Sequence, residues 1–179
     1  GLLAVGAVVV AVLTLGNPAP AVAAVGVAVV GWRMVTGRLS GARVMGVLDV
    51  EVLIGLFGLA VALGTLGRTW SGPARWLGHL DPWGTAATGA LASVLVNNLP
   101  AAALLSARPP HHPLSLLIGL DLGPNLFVTG SLAWVLWFGA SKAAGGRPDV
   151  GRTVRAGLVA APLSIAAAVG ALMVTSPVH

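Results

Sequence analysis

The chain's 179 residues are 56% hydrophobic and only 8% charged, with a mean hydropathy of +0.93, whereas soluble domains carry roughly 25% charged residues. Ten basic and five acidic side chains are too few to cover a globule of this size in water, so most outward surface must face lipid, and a soluble enzyme is excluded. The net charge of +5 is dispersed between apolar blocks and forms no stripe of the kind nucleic acid requires; the absence of cysteine excludes disulfides, thiolate metal sites and cysteine nucleophiles.

A hydrocarbon core about 30 Å thick takes about 20 apolar residues as helix. Blocks of that kind predict an all-α, multi-pass fold. Residues 1–48 are expected to hold two spans and a cytoplasmic loop: Leu2 to Leu15, then a turn at Asn17, Pro18 and Pro20, then Ala19 to Val35 followed by Arg33, Arg38 and Arg43. The opening at Gly1, directly into an apolar run, leads us to expect a fragment of a longer transporter. Residues 49–82 begin with Asp49 and Glu51, placed to favour the helix dipole and cap free amides of a third span, Val50 to Leu66. Arg68 to Trp83, with Trp70, Trp76 and Trp83, reads as an interfacial connection.

Residues 83–107 are long enough to span, yet Asn97 and Asn98 stand at their middle with Pro100 close behind. Two asparagines at mid-membrane are costly, and a proline suits the first turn of a new helix, so a re-entrant hairpin with its tip at the asparagines is expected. Residues 113–140 are interrupted in turn by Asp121, Gly123, Pro124 and Asn125, which predicts a broken helix facing protein or a wet cavity. The last span is expected over 154–174, with Pro162 as a kink.

Positive charges test the hairpin. If it enters and leaves on one side, Arg33, Arg38, Arg43, Lys142, Arg147, Arg152 and Arg155 share one face, and Arg68, Arg75 and Arg108 the other: seven against three. A crossing would give four against six. The larger asymmetry is that of a cytoplasmic face, with the hairpin entering from outside.

A hairpin beside a broken helix brings helix ends to the bilayer interior, where amides and carbonyls bind small polar solutes or ions. Asn97, Asn98, Asn125, Thr129 and Ser131 are the candidate substrate-binding residues; the competing reading is that the asparagines cap helix ends and the hydroxyls bond to the preceding turn. Asp121, the acidic residue inside an apolar block, is the candidate for proton or ion coupling, with capping of the second half-helix as the alternative. The four histidines lack partners at metal-ligand spacing, so no metal and no cofactor are expected.

The segments VNNLP, Val96 to Pro100, and LGPNLFVTGSLAWVLW, Leu122 to Trp137, resemble the arsenite/antimonite permease (arsenical pump membrane protein) family of the ion transporter superfamily, and EVLIGLFGLAVALGTLG, Glu51 to Gly67, is similar to its preceding span. The resemblance covers the chain from about Asp49 onward. It implies the carboxy-terminal repeat of an inverted-repeat transporter, with the other half of the site supplied by an amino-terminal repeat. Trp134 stands where many members have threonine, and Asn125 where some have lysine. The Ser-Asn-Thr tip of carboxylate carriers is absent, and no basic residue is expected near Asn97 to pair with a carboxylate, which favours neutral arsenous acid.

The sequence therefore predicts a secondary transporter in the plasma (inner) membrane, not an enzyme, exporting arsenite or antimonite with a proton gradient. Its partners would be the lipid bilayer, a small inorganic or organic solute and the amino-terminal repeat, with room for a homodimer and an ATPase subunit. A sodium/proton antiporter or citrate/dicarboxylate carrier of the same superfamily is the alternative within transport. A non-transporting membrane scaffold, and a serine hydrolase around Ser131 or Ser141, are alternatives of other classes.

Overall fold

A computed structural model describes residues 2–41, 44, 50–128, 130–143 and 145–175. The described residues form helices and turns, with no strand among them. The chain divides into two compact units, Gly1–Val50 and Glu51–His179.

In the first unit, α1 (Leu2–Thr14) packs on α2 (Ala19–Val35) across a turn at Gly16 and Asn17. Pro18 precedes α2, and Pro20 occupies its first turn, where a missing N–H leaves no partner wanting. At the far end Gly37 takes φ +68°, and the Arg38 amide donates to the Arg33 carbonyl at 2.9 Å, closing the helix with a left-handed turn. Helices of 13 and 17 residues reach about 20 and 26 Å, short of a full hydrocarbon core.

The second unit opens with α3 (Val50–Thr69), with Glu51 in its first turn as the sequence suggests; Asp49 and Arg43 lie outside the described residues. The helix runs three residues beyond the expected Leu66. The expected interfacial connection is largely helical as well: α4 (Gly72–Gly78) follows, and Trp83 lies in the first turn of α5 (Pro82–Val96). Asp81 fixes that start by accepting from the Gly84 amide at 2.8 Å, with Pro82 as the first helical residue. Beyond α5 come α6 (Asn98–Leu105), α7 (Pro113–Leu122), a 3-10 turn (Gly123–Leu126), α8 (Leu132–Ala143) and α9 (Val150–Thr175). The last helix starts four residues before the expected Val154 and passes through Pro162 without interruption.

Helices α3 and α9 are long and apolar enough to cross a membrane, and only 11% and 17% of their apolar windows are buried by the rest of the fold. A core helix of a water-soluble protein would be mostly covered. Phe57 and Ile54 on α3 and Leu163 and Val159 on α9 instead stand exposed, as a lipid-facing surface requires.

Packing inside this unit depends on small residues. Gly119 of α7 lies against the Ala86 backbone and Gly123 against Ala90, each pair four residues beyond the last, so α5 and α7 run parallel. A Cβ on Gly123 would also come within 2.7 Å of the Ser93 hydroxyl. Leu77, Ala101, Leu105, Leu116 and Leu120 form the buried core that joins α4, α6 and α7.

Helix α6 returns to the carboxy end of α3. A Cβ on Gly67 would sit 2.5 Å from the Leu104 carbonyl oxygen, and the Arg108 guanidinium donates to the Gly67 and Arg68 carbonyls at 3.4 and 2.8 Å. Those carbonyls end a helix and have no partner within it, so the cation also meets the negative end of the dipole. Thus α5 leaves from, and α6 comes back toward, the same end of α3.

Candidate functional site

The two interruptions meet. Asn97 separates α5 from α6 with φ +73° and ψ +151°, a conformation that side chains rarely adopt, and the Asn98 amide donates to the Gly130 carbonyl at 3.2 Å, across to the interruption between α7 and α8. Gly130 in turn folds over Pro124: a Cβ there would fall 2.6 Å from the Pro124 Cα. The two irregular segments are thereby held against each other.

Each backbone donor in the first turn of α6 is accounted for. The Asn98 amide goes to Gly130, the Leu99 amide to the Asn97 Oδ1 at 3.4 Å, Pro100 has none, and the Ala101 amide starts the ladder by donating to the Asn97 carbonyl at 3.1 Å. Sequence reasoning expected this helix end to offer unpaired amides to a solute. The structure instead spends them internally.

On the other interruption, the Asn125 Nδ2 donates to the Leu122 carbonyl at 3.2 Å, and the Ser131 Oγ accepts from the Ala133 amide at 3.2 Å at the start of α8. Trp134 reaches back with its indole N–H to the Pro124 carbonyl at 3.2 Å and stacks edge-on with Trp137, their centroids 5.8 Å apart. Gly157 of α9 closes the arrangement by lying against the Asn125 carbonyl. From Gly157 to Gly170, which approaches the Trp83 ring, is about 20 Å of helix, and α5 from Trp83 to the break is of similar length. The break therefore lies about 10 Å from the amino end of α9, two residues past Arg155, where the apolar run of that helix begins.

Beside it opens a cavity of about 920 Å³, at the upper end of the range of small-ligand sites. Asn98, Asn125, Ser131 and Asp121 contribute to its lining; Asn97 does not, and Thr129 lies outside the described residues. Asn97 caps a helix end, as the competing sequence reading had it for the asparagines; Ser131 accepts from a following amide instead of bonding back to the preceding turn, and the Asn98 side-chain amide makes no hydrogen bond among the described residues. Asp121 is exposed to the cavity on the last turn of α7, and among the described residues no hydrogen bond makes it a cap of the second half-helix.

Among the charged and hydroxyl-bearing side chains of the lining, three went unrecognised as site residues in the sequence: Arg152 and Thr153 from the first turn of α9, and Ser164 further along it; Trp134 and Trp137 were not named as site residues either. Arg152 reads in the sequence as a topology charge in a loop; only the earlier start of α9 turns it toward the asparagines. The Arg152 amide donates to the Asp149 Oδ1 at 3.0 Å, the capping bond that sets this start, and an Asp three residues before an Arg at a helix entry was the available signal. Among the described residues no group of three or more potential ligands could hold a metal ion.

Neither a scan of family models nor searches of curated proteins and of solved structures finds a match to this chain.

Proposed function

We propose that the chain is one repeat of a secondary active transporter and that the cavity beside the two helix interruptions is its solute site. The observation that carries this reading is the bond from the Asn98 amide to the Gly130 carbonyl at 3.2 Å: it pairs the two interruptions next to an unpaired asparagine side chain. Broken helices within an apolar bundle are costly unless the freed groups find partners, and this is the arrangement that transporters use to hold a polar solute away from lipid.

In this reading α5 and α6 form a re-entrant hairpin. Helices of 15 and eight residues reach about 22 and 12 Å, and the contacts of Arg108 and Gly67 return the second to the end of α3. Helices α7 and α8 form the broken crossing, and the arginine-rich loops face the cytoplasm of an inner membrane. A second repeat completes the site, and alternating access comes from movement of the hairpin and broken helix against the long helices.

The resemblance of VNNLP and LGPNLFVTGSLAWVLW to the arsenite/antimonite permeases makes these oxyacids the first solutes to try, with Asp121 as the proton carrier. Uptake of arsenite into everted vesicles, with and without a proton gradient, tests the proposal on wild type and Asn98→Ala. Gradient-driven accumulation that falls at least tenfold in the variant is expected; no accumulation by wild type would overturn the arsenite assignment.

A further inference from the structure

Arg152 faces the cavity, although a cation in a first helical turn opposes the positive end of the dipole and gains the helix nothing. The preference for basic residues on the cytoplasmic side accounts for arginines near this position but not for which of them enters the site. Arg152 and Arg155, three residues on, are both exposed, but Arg152 is part of the lining and Arg155 is not. Arg152 makes no ion pair among the described residues, even though Asp121 lies on the same cavity.

Around it stand groups able to donate toward the same space. The Asn98 side-chain amide makes no hydrogen bond among the described residues, and the Ser131 hydroxyl, which accepts one bond from a backbone amide, keeps its own proton to give. A guanidinium is always charged and presents its donors in a planar fork that matches two oxygens of one acid group. Asp121 is the carboxylate in the same lining, so the cavity holds one fixed charge of each sign, and a solute with one negative charge leaves it with a net charge of only −1.

We propose that Arg152, with Asn98 and Ser131, gives this cavity a binding site for a small oxyacid monoanion, carboxylate or inorganic. The inference rests on reading the cavity as the solute site and adds a charged ligand class to the neutral oxyacids named above. Arg152 is then the residue that selects for charge.

Trp134 and Trp137 line the cavity, so intrinsic fluorescence of the full-length transporter, with both repeats present and purified in detergent, reports on occupancy. Acetate, inorganic phosphate and arsenite would each be titrated at about pH 6, where acetate and phosphate are chiefly monoanions, into wild type, Arg152→Gln and Arg152→Lys. We expect saturable change with acetate or phosphate in wild type, weakened about tenfold or more in Arg152→Gln and partly restored in Arg152→Lys, with arsenite binding equal in all three. Response to acetate alone, or to phosphate alone, identifies which acid is taken. Arsenite binding by wild type without either anion, or anion binding unchanged in Arg152→Gln, overturns the role of Arg152 and leaves the solute site standing. Silence toward all three probes overturns both.

Discussion

Asn97 shows most clearly how a single residue sets the site. Its backbone at φ +73° and ψ +151° lies in a region that suits glycine, and its side chain caps the helix that follows. Replacing it by alanine keeps the strain and deletes the cap, for a loss of about 1 kcal/mol, whereas glycine relieves the strain. Thermal unfolding in detergent should rank Asn97→Gly at or above wild type and Asn97→Ala below it; an alanine variant as stable as wild type would contradict the geometry. The glycines behave oppositely. An alanine at Gly119 or Gly123 meets the backbone of α5, which cannot turn aside, and should cost about 1–3 kcal/mol, while Gly58→Ala, with open space around it, should be neutral or stabilising by a few tenths to about 1 kcal/mol. Equal melting temperatures for Gly123→Ala and Gly58→Ala would refute the close packing of α5 on α7. The asparagine pair was legible in the sequence because a proline followed it inside an apolar block. Which asparagine faces the cavity was not, since a change of backbone sign at Asn97 turns the two side chains apart and no pattern of residue types encodes it.

At the scale of elements, helix type and order were readable because apolar blocks are long and their punctuation is strong: Asn17, Pro18 and Pro20, then Asn97 to Pro100, then Gly123 to Asn125. Boundaries moved where polar residues join a helix instead of ending it. Thr69 extends α3 by bonding its hydroxyl to the Thr65 carbonyl at 3.0 Å, and Asp149 starts α9 early, carrying Arg152 into the site. The tie between α6 and α3 was also hidden, because Arg108 reads as a loop charge until the chain is folded back. Removing it in Arg108→Ala leaves two helix-terminal carbonyls without their charged donor, a loss of about 1–3 kcal/mol. Amide exchange should quicken at the carboxy end of α3 and along α6 and stay unchanged at the centre of α9; a uniform response would mean that the tie carries no local stability.

For the molecule as a whole, the decisive quantity is how little of its apolar surface the fold covers. Apolar faces left mostly bare on α3 and α9 suit a lipid surrounding, and under the transporter proposal the freed backbone groups of the two interruptions satisfy one another through the bond from Asn98 to Gly130. Composition made the membrane legible at once; the pairing of the two breaks was not, because it is a contact between segments about thirty residues apart with no charge or disulfide to announce it. The account stands on the hairpin turning back inside the bilayer. Since the chain has no cysteine, single thiols introduced as Arg75→Cys, His111→Cys and Arg147→Cys, all exposed, can be labelled in intact cells and in everted vesicles with an impermeant maleimide. The account predicts that positions 75 and 111 react in intact cells and position 147 only in everted vesicles; labelling of position 111 together with 147, and apart from 75, would contradict it.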